Sequence, residues 1–231
     1  MRAAVLVFPG TWSDNDCVWA LSQVGIESRK VWHRETRLDP DELVVLPGGF
    51  SYGDYLRTGA IARFAPIMES VQRHAEAGGL VIGICNGFQI LCEAHLLPGV
   101  LMRNESLQFR CTDTYCVPVN TTSPFTRGLD ASRGYRFPIS HGEGRYVADE
   151  ATIRMLQDTD RIAFRYGTVD GRVTPEANPN GSLDNIAGIL NERGNVLGMM
   201  PHPERACEPL LGDDDGNAIW RSVLASVGVR A

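Results

Sequence analysis

Cysteine 85 sits in the pentapeptide Gly83-Ile84-Cys85-Asn86-Gly87, with an apolar run before it (Leu80-Val81-Ile82) and an amphipathic stretch, Phe88 to Ala94, behind it. Strand, sharp turn, helix, with glycine two residues to either side of a thiol, is the pattern of a nucleophile elbow. Side chains at the flanking positions would collide with strand and helix, and the turn itself holds the central residue in strained backbone. The sulfur then stands at the N-terminus of a new helix, whose partial positive charge favours thiolate. A nucleophile of this kind needs a base, and the base needs an orienting group. Both are offered by Met200-Pro201-His202-Pro203-Glu204-Arg205, which follows the apolar run Val196 to Met199. Proline biases the residue before it towards extended backbone, where residues two apart face the same way. His202 and Glu204 are therefore expected to project together, imidazole beside carboxylate, towards Cys85.

Two further polar groupings bear on this chemistry. Gly48-Gly49 ends another apolar strand, Leu43 to Leu46. With the N–H of Asn86, just past the nucleophile, the glycine N–H groups are placed to make an oxyanion hole, although by itself such a pair is usually only a turn. His141-Gly142-Glu143-Gly144 reads either as a surface turn or as a segment that touches substrate through exposed backbone. Glu143 is an alternative orienter but lacks the adjacent histidine–proline frame. His33, His74 and His95 belong to no motif and read as ordinary core or surface residues. The six cysteines include no Cys-x-x-Cys pair, so no zinc site is expected, and the five other than Cys85 read as reduced, mostly buried thiols.

These residues need elements to carry them. The chain has 231 residues, 43% hydrophobic and 22% charged, enough for a large core without disulfides. One domain over 1–231 is the expectation. The net charge of -6 argues against a nucleic-acid-binding role. Lys30 is the only lysine and lies in no glycine-rich loop, so no P-loop ATP site is expected. The apolar start is too short for a secretory signal, no stretch is long enough to span a membrane, and a cytoplasmic location follows. Strands are expected over Ala3 to Phe8, Glu27 to His33, Leu43 to Leu46 and Leu80 to Ile84. Helices are expected from Ser13 or Asp14 to about Val24 and, with breaks, from Tyr55 to Ala77. This alternation predicts an α/β protein with a mostly parallel sheet flanked by helices, its chemistry at the carboxyl ends of the strands. From about Phe109 the pattern changes to an antiparallel excursion: Tyr115 to Val119, Tyr135 to Ser140, Arg161 to Tyr166 and Ile186 to Leu190, separated by glycine- and asparagine-rich turns. Asp213-Asp214-Asp215-Gly216 reads as a solvated turn before a last helix, Ala218 to Val227.

A Gly-x-Cys-x-Gly elbow joined to a later His-x-Glu resembles the class I glutamine amidotransferases, whose fold is flavodoxin-like. More narrowly, the block Pro47 to Arg57 with Gly59-Ala60-Ile61-Ala62, the run Cys85 to Leu91, His141 to Gly144, Asn178 to Ser182, Ile186 to Ile189 and Met200 to Arg205 resemble the glutaminase subunits of phosphoribosylformylglycinamidine synthases, over residues 3 to about 224. The first loop, Pro9 to Cys17, departs from that pattern: its cysteine is displaced. The resemblance implies Cys85 as nucleophile, His202 as general acid/base and Glu204 as its orienter. It implies Gly49 and Asn86 as oxyanion donors, with Gly48, Gln89, His141 and Gly142 seating glutamine. It implies no cofactor or metal in this chain. It also implies a large synthetase subunit that carries ATP and magnesium, and a small bridging subunit, with ammonia passing between subunits.

Two rivals share the elbow. A stand-alone γ-glutamyl hydrolase would accept γ-glutamyl peptides. A DJ-1-like cysteine stress protein would need the cysteine without the His-Pro-Glu frame.

Overall fold

Nine strands make the central sheet of the computed structural model, which describes residues 1–228; the last three residues of the expected domain lie outside them. In chain order the elements are β1 (Arg2–Val7), α1 (Asp14–Gln23), β2 (Glu27–Trp32), β3 (Glu42–Leu46), α2 (Pro66–Glu76), β4 (Val81–Ile84), α3 (Asn86–Glu93), β5 (Val100–Met102), β6 (Arg110–Pro118), β7 (Tyr135–His141), β8 (Arg145–Val147), α4 (Glu150–Asp158), β9 (Ile162–Gly167), β10 (Ile186–Leu190), β11 (Val196–Met199) and α5 (Asn217–Ser226). The sheet order is β2-β1-β3-β4-β11-β10-β9-β6-β7. The first five strands of that order run parallel, and each later pairing is antiparallel. β5 and β8 form a separate two-stranded ribbon.

The expected α/β architecture is therefore present, and the antiparallel excursion extends the same sheet. β3, β4, β10 and β11 are buried at every residue. Unbroken burial is what a sheet covered on both faces requires, and it explains why these strands read as continuous apolar runs rather than as alternation. Each fully buried aliphatic side chain contributes about 1.5–3 kcal/mol, so the strands that end at the reactive residues are also among the best anchored.

Four expectations need correction. The region Tyr55 to Ala77 is not helical throughout: only α2 is an α-helix, and the chain ahead of it passes through left-handed backbone at Leu56 and Gly59 and a short 3₁₀ turn, Ala62–Phe64; left-handed backbone fits no right-handed helix. Helix α4 falls inside the segment read as strands; Asp149 caps it, its side chain accepting from the Thr152 N–H at 2.7 Å. β6 begins at Arg110, not Tyr115, because its first residues are a two-stranded extension with β7 whose outer face meets solvent. Cys111 sits on that face and is exposed, while the other five cysteines are buried; all six are free. The acidic turn before α5 is not simply solvated: Asp213 and Asp215 pair with Arg136 (2.8 Å) and Arg133 (2.6 Å). Among the described residues no helix is long and apolar enough to cross a membrane, and no group of three or more acidic, histidine or cysteine side chains is arranged to hold a metal.

Candidate active site

β4 delivers Cys85 to the carboxyl edge of the sheet, where its backbone turns through φ 52, ψ -106 before α3 starts. That conformation is costly for a residue with a Cβ, and the surroundings over-determine it. The Cys85 N–H donates to Met199 O at 2.8 Å, tying the elbow to the end of β11. A Cβ on Gly83 would lie 2.5 Å from Leu91 Cδ1, and one on Gly87 would lie 2.0 Å from Leu46 O. Both flanking glycines are thus required by the packing of β4 and α3 against each other and of α3 on β3.

β11, parallel neighbour of β4, brings in the histidine. The His202 N–H donates to Pro138 O of β7 at 2.8 Å, so the edge strand of the antiparallel half folds back over the parallel half. His202 Nδ1 is 2.6 Å from Glu204 Oε1. The two meet through a tight 3₁₀ turn over Pro203–Arg205 rather than along an extended chain; the pairing expected from sequence is present, but a turn makes it. Both residues are 2% exposed. His202 Nε2 is buried with no partner inside hydrogen-bond geometry, leaving it free to serve the neighbouring sulfur. Burial opposes the imidazolium, but the Glu204 carboxylate and then Cys85 outweigh it, and the His202 pKa rises to about 10. Glu143, the alternative orienter, is engaged elsewhere.

Gly48 explains how the three approach. A Cβ there would sit 2.7 Å from His202 Cε1, 3.3 Å from Ser13 Oγ and 3.4 Å from Cys85 Cβ. The divergent first loop holds this turn in place: the Trp12 and Ser13 N–H groups both donate to Gly48 O at 3.0 Å. Ser13, the residue before α1, makes no side-chain cap. Its hydroxyl accepts from Arg205 Nη2 at 2.8 Å instead, joining the loop to the His202 turn.

Above the sulfur lies a cavity of about 160 Å³ lined by Gly49, Phe50, Asp54, Thr58, Gln89, Phe109 and the segment Ser140 to Glu143, with Cys85 in its wall. That is well below the roughly 300–1,000 Å³ of sites for larger ligands and suits a molecule of amino-acid size. The Asn86 N–H opens α3, where helical amides have no intrahelical acceptor. A chain of side-chain hydrogen bonds crosses the floor. The Ser51 N–H donates to Asn86 Oδ1 (3.1 Å), Asn86 Nδ2 to Gln89 Oε1 (2.9 Å), and Gln89 Nε2 to Glu143 O (2.6 Å). Gln89 therefore keeps one free N–H. This constellation can carry out acyl transfer: a thiol at a helix start, a histidine held protonated by a carboxylate, and N–H groups beside the sulfur.

The sequence matches the CobB/CobQ-like glutamine amidotransferase domain over residues 1–215. The chain belongs to that family. Among curated relatives of this amidotransferase, a phosphoribosylformylglycinamidine synthase subunit PurQ of Salinibacter ruber is 55% identical over 231 residues, covering 100% of this chain and 98% of the relative. A protein of the same name from Moorella thermoacetica is 55% identical over 225 residues, 97% of this chain and 95% of the relative. Among solved structures, a chain of PurLQS from Thermotoga maritima matches with a TM-score of 0.86 at 43% identity, covering 98% of each chain.

Within this amidotransferase the residues singled out from sequence converge, with one refinement. His141 lines the cavity, but its ring is engaged away from it: Nδ1 meets Asn104 Oδ1 at 3.1 Å, and Asn180 Nδ2 approaches Nε2 at 3.5 Å. Burial, then the charge of His202, pushes its pKa down to about 3, so the ring is neutral. Asn104 also donates to His141 O (2.9 Å) and accepts from the Gly144 N–H (3.1 Å). Asn104, Asn180 and Asp54 are the residues that sequence reasoning passed over as individuals. Asn180 lies in a quoted block, and Asp54 in another; Asn104 carried no local signal.

Proposed function

We propose that this chain is the glutaminase of a phosphoribosylformylglycinamidine synthase, a single glutaminase domain working in the cytoplasm. The observation that carries the chemistry is the buried His202–Glu204 pair beside Cys85 at the wall of an amino-acid-sized cavity. Cys85 thiolate attacks the side-chain amide of glutamine. The tetrahedral oxyanion is met by the N–H groups of Gly49 and Asn86, while Gly48, Gln89, His141 and Gly142 seat the substrate, His141 and Gly142 through their backbone. His202 gives its proton to the departing ammonia, leaving a γ-glutamyl thioester, and then takes a proton from the water that releases glutamate. Glu204 holds the imidazole in orientation and stabilises its charged form.

Ammonia passes to a large synthetase subunit, assisted by a small bridging subunit. There ATP, with magnesium, drives conversion of formylglycinamide ribonucleotide to formylglycinamidine ribonucleotide. The name of the full-length relatives and the PurLQS assembly support this reading. So does the surface: Phe50 and Phe109 are exposed and line the cavity, and Tyr55 and Leu56, between the lining residues Asp54 and Thr58, are exposed as well; exposed apolar side chains beside a site are the kind that mark protein contacts. Free thiols fit a reducing compartment. A DJ-1-like sensor has no use for the buried His202–Glu204 pair, and nothing in the geometry favours a stand-alone γ-glutamyl hydrolase.

The test compares glutamine and ammonium as nitrogen donors for the reconstituted synthase. Glutamine hydrolysis should be weak for the chain alone and stronger in the complex. Cys85→Ala should abolish glutamine-dependent amidation and spare the ammonium-dependent reaction. Equal hydrolysis with and without the synthetase removes the coupling, and an active Cys85→Ala variant removes the mechanism.

A further inference from the structure

The charges lining the Cys85 cavity are unbalanced. Apart from Cys85 and the neutral His141, the ionisable side chains in its wall are Asp54 and Glu143, both carboxylates. Asp54 Oδ1 is buried and has no hydrogen-bond partner. Glu143 is partly served: Thr58 Oγ1 donates to its Oε2 at 3.3 Å, and the exposed Arg103 lies 3.6 Å from its Oε1. Burial, then the nearby Glu143 charge, pushes the Asp54 pKa up to about 6. A half-buried carboxylate with one oxygen enclosed and unpartnered, close enough to feel a second carboxylate, is unfavourable unless a cation joins them. The same cavity is marked independently as a ligand site by Cys85 in its wall and by the buried, unpartnered Nε2 of His202 beside the sulfur.

Resting on the glutaminase reading above, we propose that Asp54, with Glu143 beside it, receives the α-ammonium of free glutamine and so determines substrate specificity. The ammonium brings three donors to acceptors that lack them, and ammonium–carboxylate hydrogen bonds are among the stronger ones available to a small ligand. With the side-chain amide at Cys85 and the ammonium at Asp54, glutamine lies in one orientation. A glutamine within a peptide has a neutral, substituted nitrogen in place of the ammonium and is rejected. The main-chain carbonyl of Glu143 accepts from Gln89, which links the acidic wall to the helix that follows the nucleophile. The backbone holding Asp54 is itself left-handed, φ 55, between Tyr52 and Leu56 in the same region, so the carboxylate is placed by a segment with little freedom to withdraw it.

The experiment uses the full chain reconstituted with its synthetase and measures ammonia release from glutamine and from its des-amino analogue, glutaramate. Wild type should prefer glutamine by about ten- to a hundredfold in kcat/KM, the span expected of one charge-assisted hydrogen bond. Asp54→Asn should raise KM for glutamine by a similar factor and change its activity on glutaramate far less, so that the preference collapses. Glu143→Gln should narrow it in the same direction and less far. Alkylation of Cys85 by iodoacetamide at the wild-type rate reports that the elbow is intact in each variant. If Asp54→Asn and Glu143→Gln both keep the full preference while hydrolysing glutamine, this assignment is wrong and the glutaminase reading stands. If wild type releases ammonia from neither compound, both fall.

Discussion

Glu204→Gln removes one charge from the His202 turn and almost nothing else. Glutamine is isosteric with the carboxylate, and Glu204 takes part in a single side-chain hydrogen bond, its Oε1 accepting from His202 Nδ1–H at 2.6 Å; its Oε2 is buried and unpartnered. A hydrogen bond to a charged group contributes about 1.5–3 kcal/mol and a neutral one about 0.5–1.5 kcal/mol. The difference, about 1–2 kcal/mol, weakens the imidazolium that protonates the leaving ammonia. Since 1.4 kcal/mol is tenfold, kcat/KM for glutamine should fall by about five- to thirtyfold. The pH dependence carries more information. In the wild type His202 keeps its proton up to about pH 10, because Glu204 and Cys85 outweigh burial. Without the carboxylate, burial gains, and the alkaline limb of the rate profile should move to lower pH. Stability follows the same sign. A histidine whose folded-state pKa is raised contributes stability that is complete below its unfolded value near 6.5 and is lost as pH rises towards 10. The urea midpoint of the wild type should fall across that window, and that of Glu204→Gln much less. Glutamate production followed over pH, with urea midpoints at both ends, tests both. A variant with wild-type kcat/KM and an unmoved alkaline limb would refute the role of Glu204.

Two other substitutions probe the backbone that brings the sulfur and imidazole together. At Cys85, φ 52 and ψ -106 should reverse the usual ranking of alanine over glycine: Cys85→Gly should be more stable than Cys85→Ala by about 1 kcal/mol in urea unfolding, both lacking glutaminase activity. At Gly48, an added methyl 2.7 Å from His202 Cε1 must displace the ring. Gly48→Ala should lower kcat/KM by up to about a hundredfold while circular dichroism and the glutamine-independent, ammonium-driven reaction of the complex stay at wild-type levels.

Much of the site was legible from local chemistry. Gly83 and Gly87 frame Cys85 for steric reasons that depend only on a strand meeting a helix, and the structure meets them with Leu91 and Leu46. Pro203 marked His202 and Glu204 as a pair, although the turn that joins them is 3₁₀. The buried strands declared themselves by unbroken apolar runs. The failures have a common cause. Helix α4, though capped by Asp149, is a short amphipathic piece embedded among strands. Left-handed backbone at Leu56 and Gly59 breaks the helical pattern expected from Tyr55, well before Pro66 opens α2. Asn104 is bonded to His141 and Gly144, some forty positions away.

By itself the sequence determined the reactive groups and their immediate frames, because sterics at an elbow and before a proline act within a few residues. Only the tertiary structure decided which groups meet. The return of β7 against the His202 turn, the choice of Glu204 over Glu143 as the partner of His202, and the engagement of the His141 ring by asparagines depend on long-range packing of the antiparallel half on the parallel half. The protonation states follow from that packing as well. A carboxylate at 2.6 Å, with Cys85, raises one histidine against its burial, and burial with no carboxylate partner lowers another, a difference set by distance and desolvation rather than by residue type.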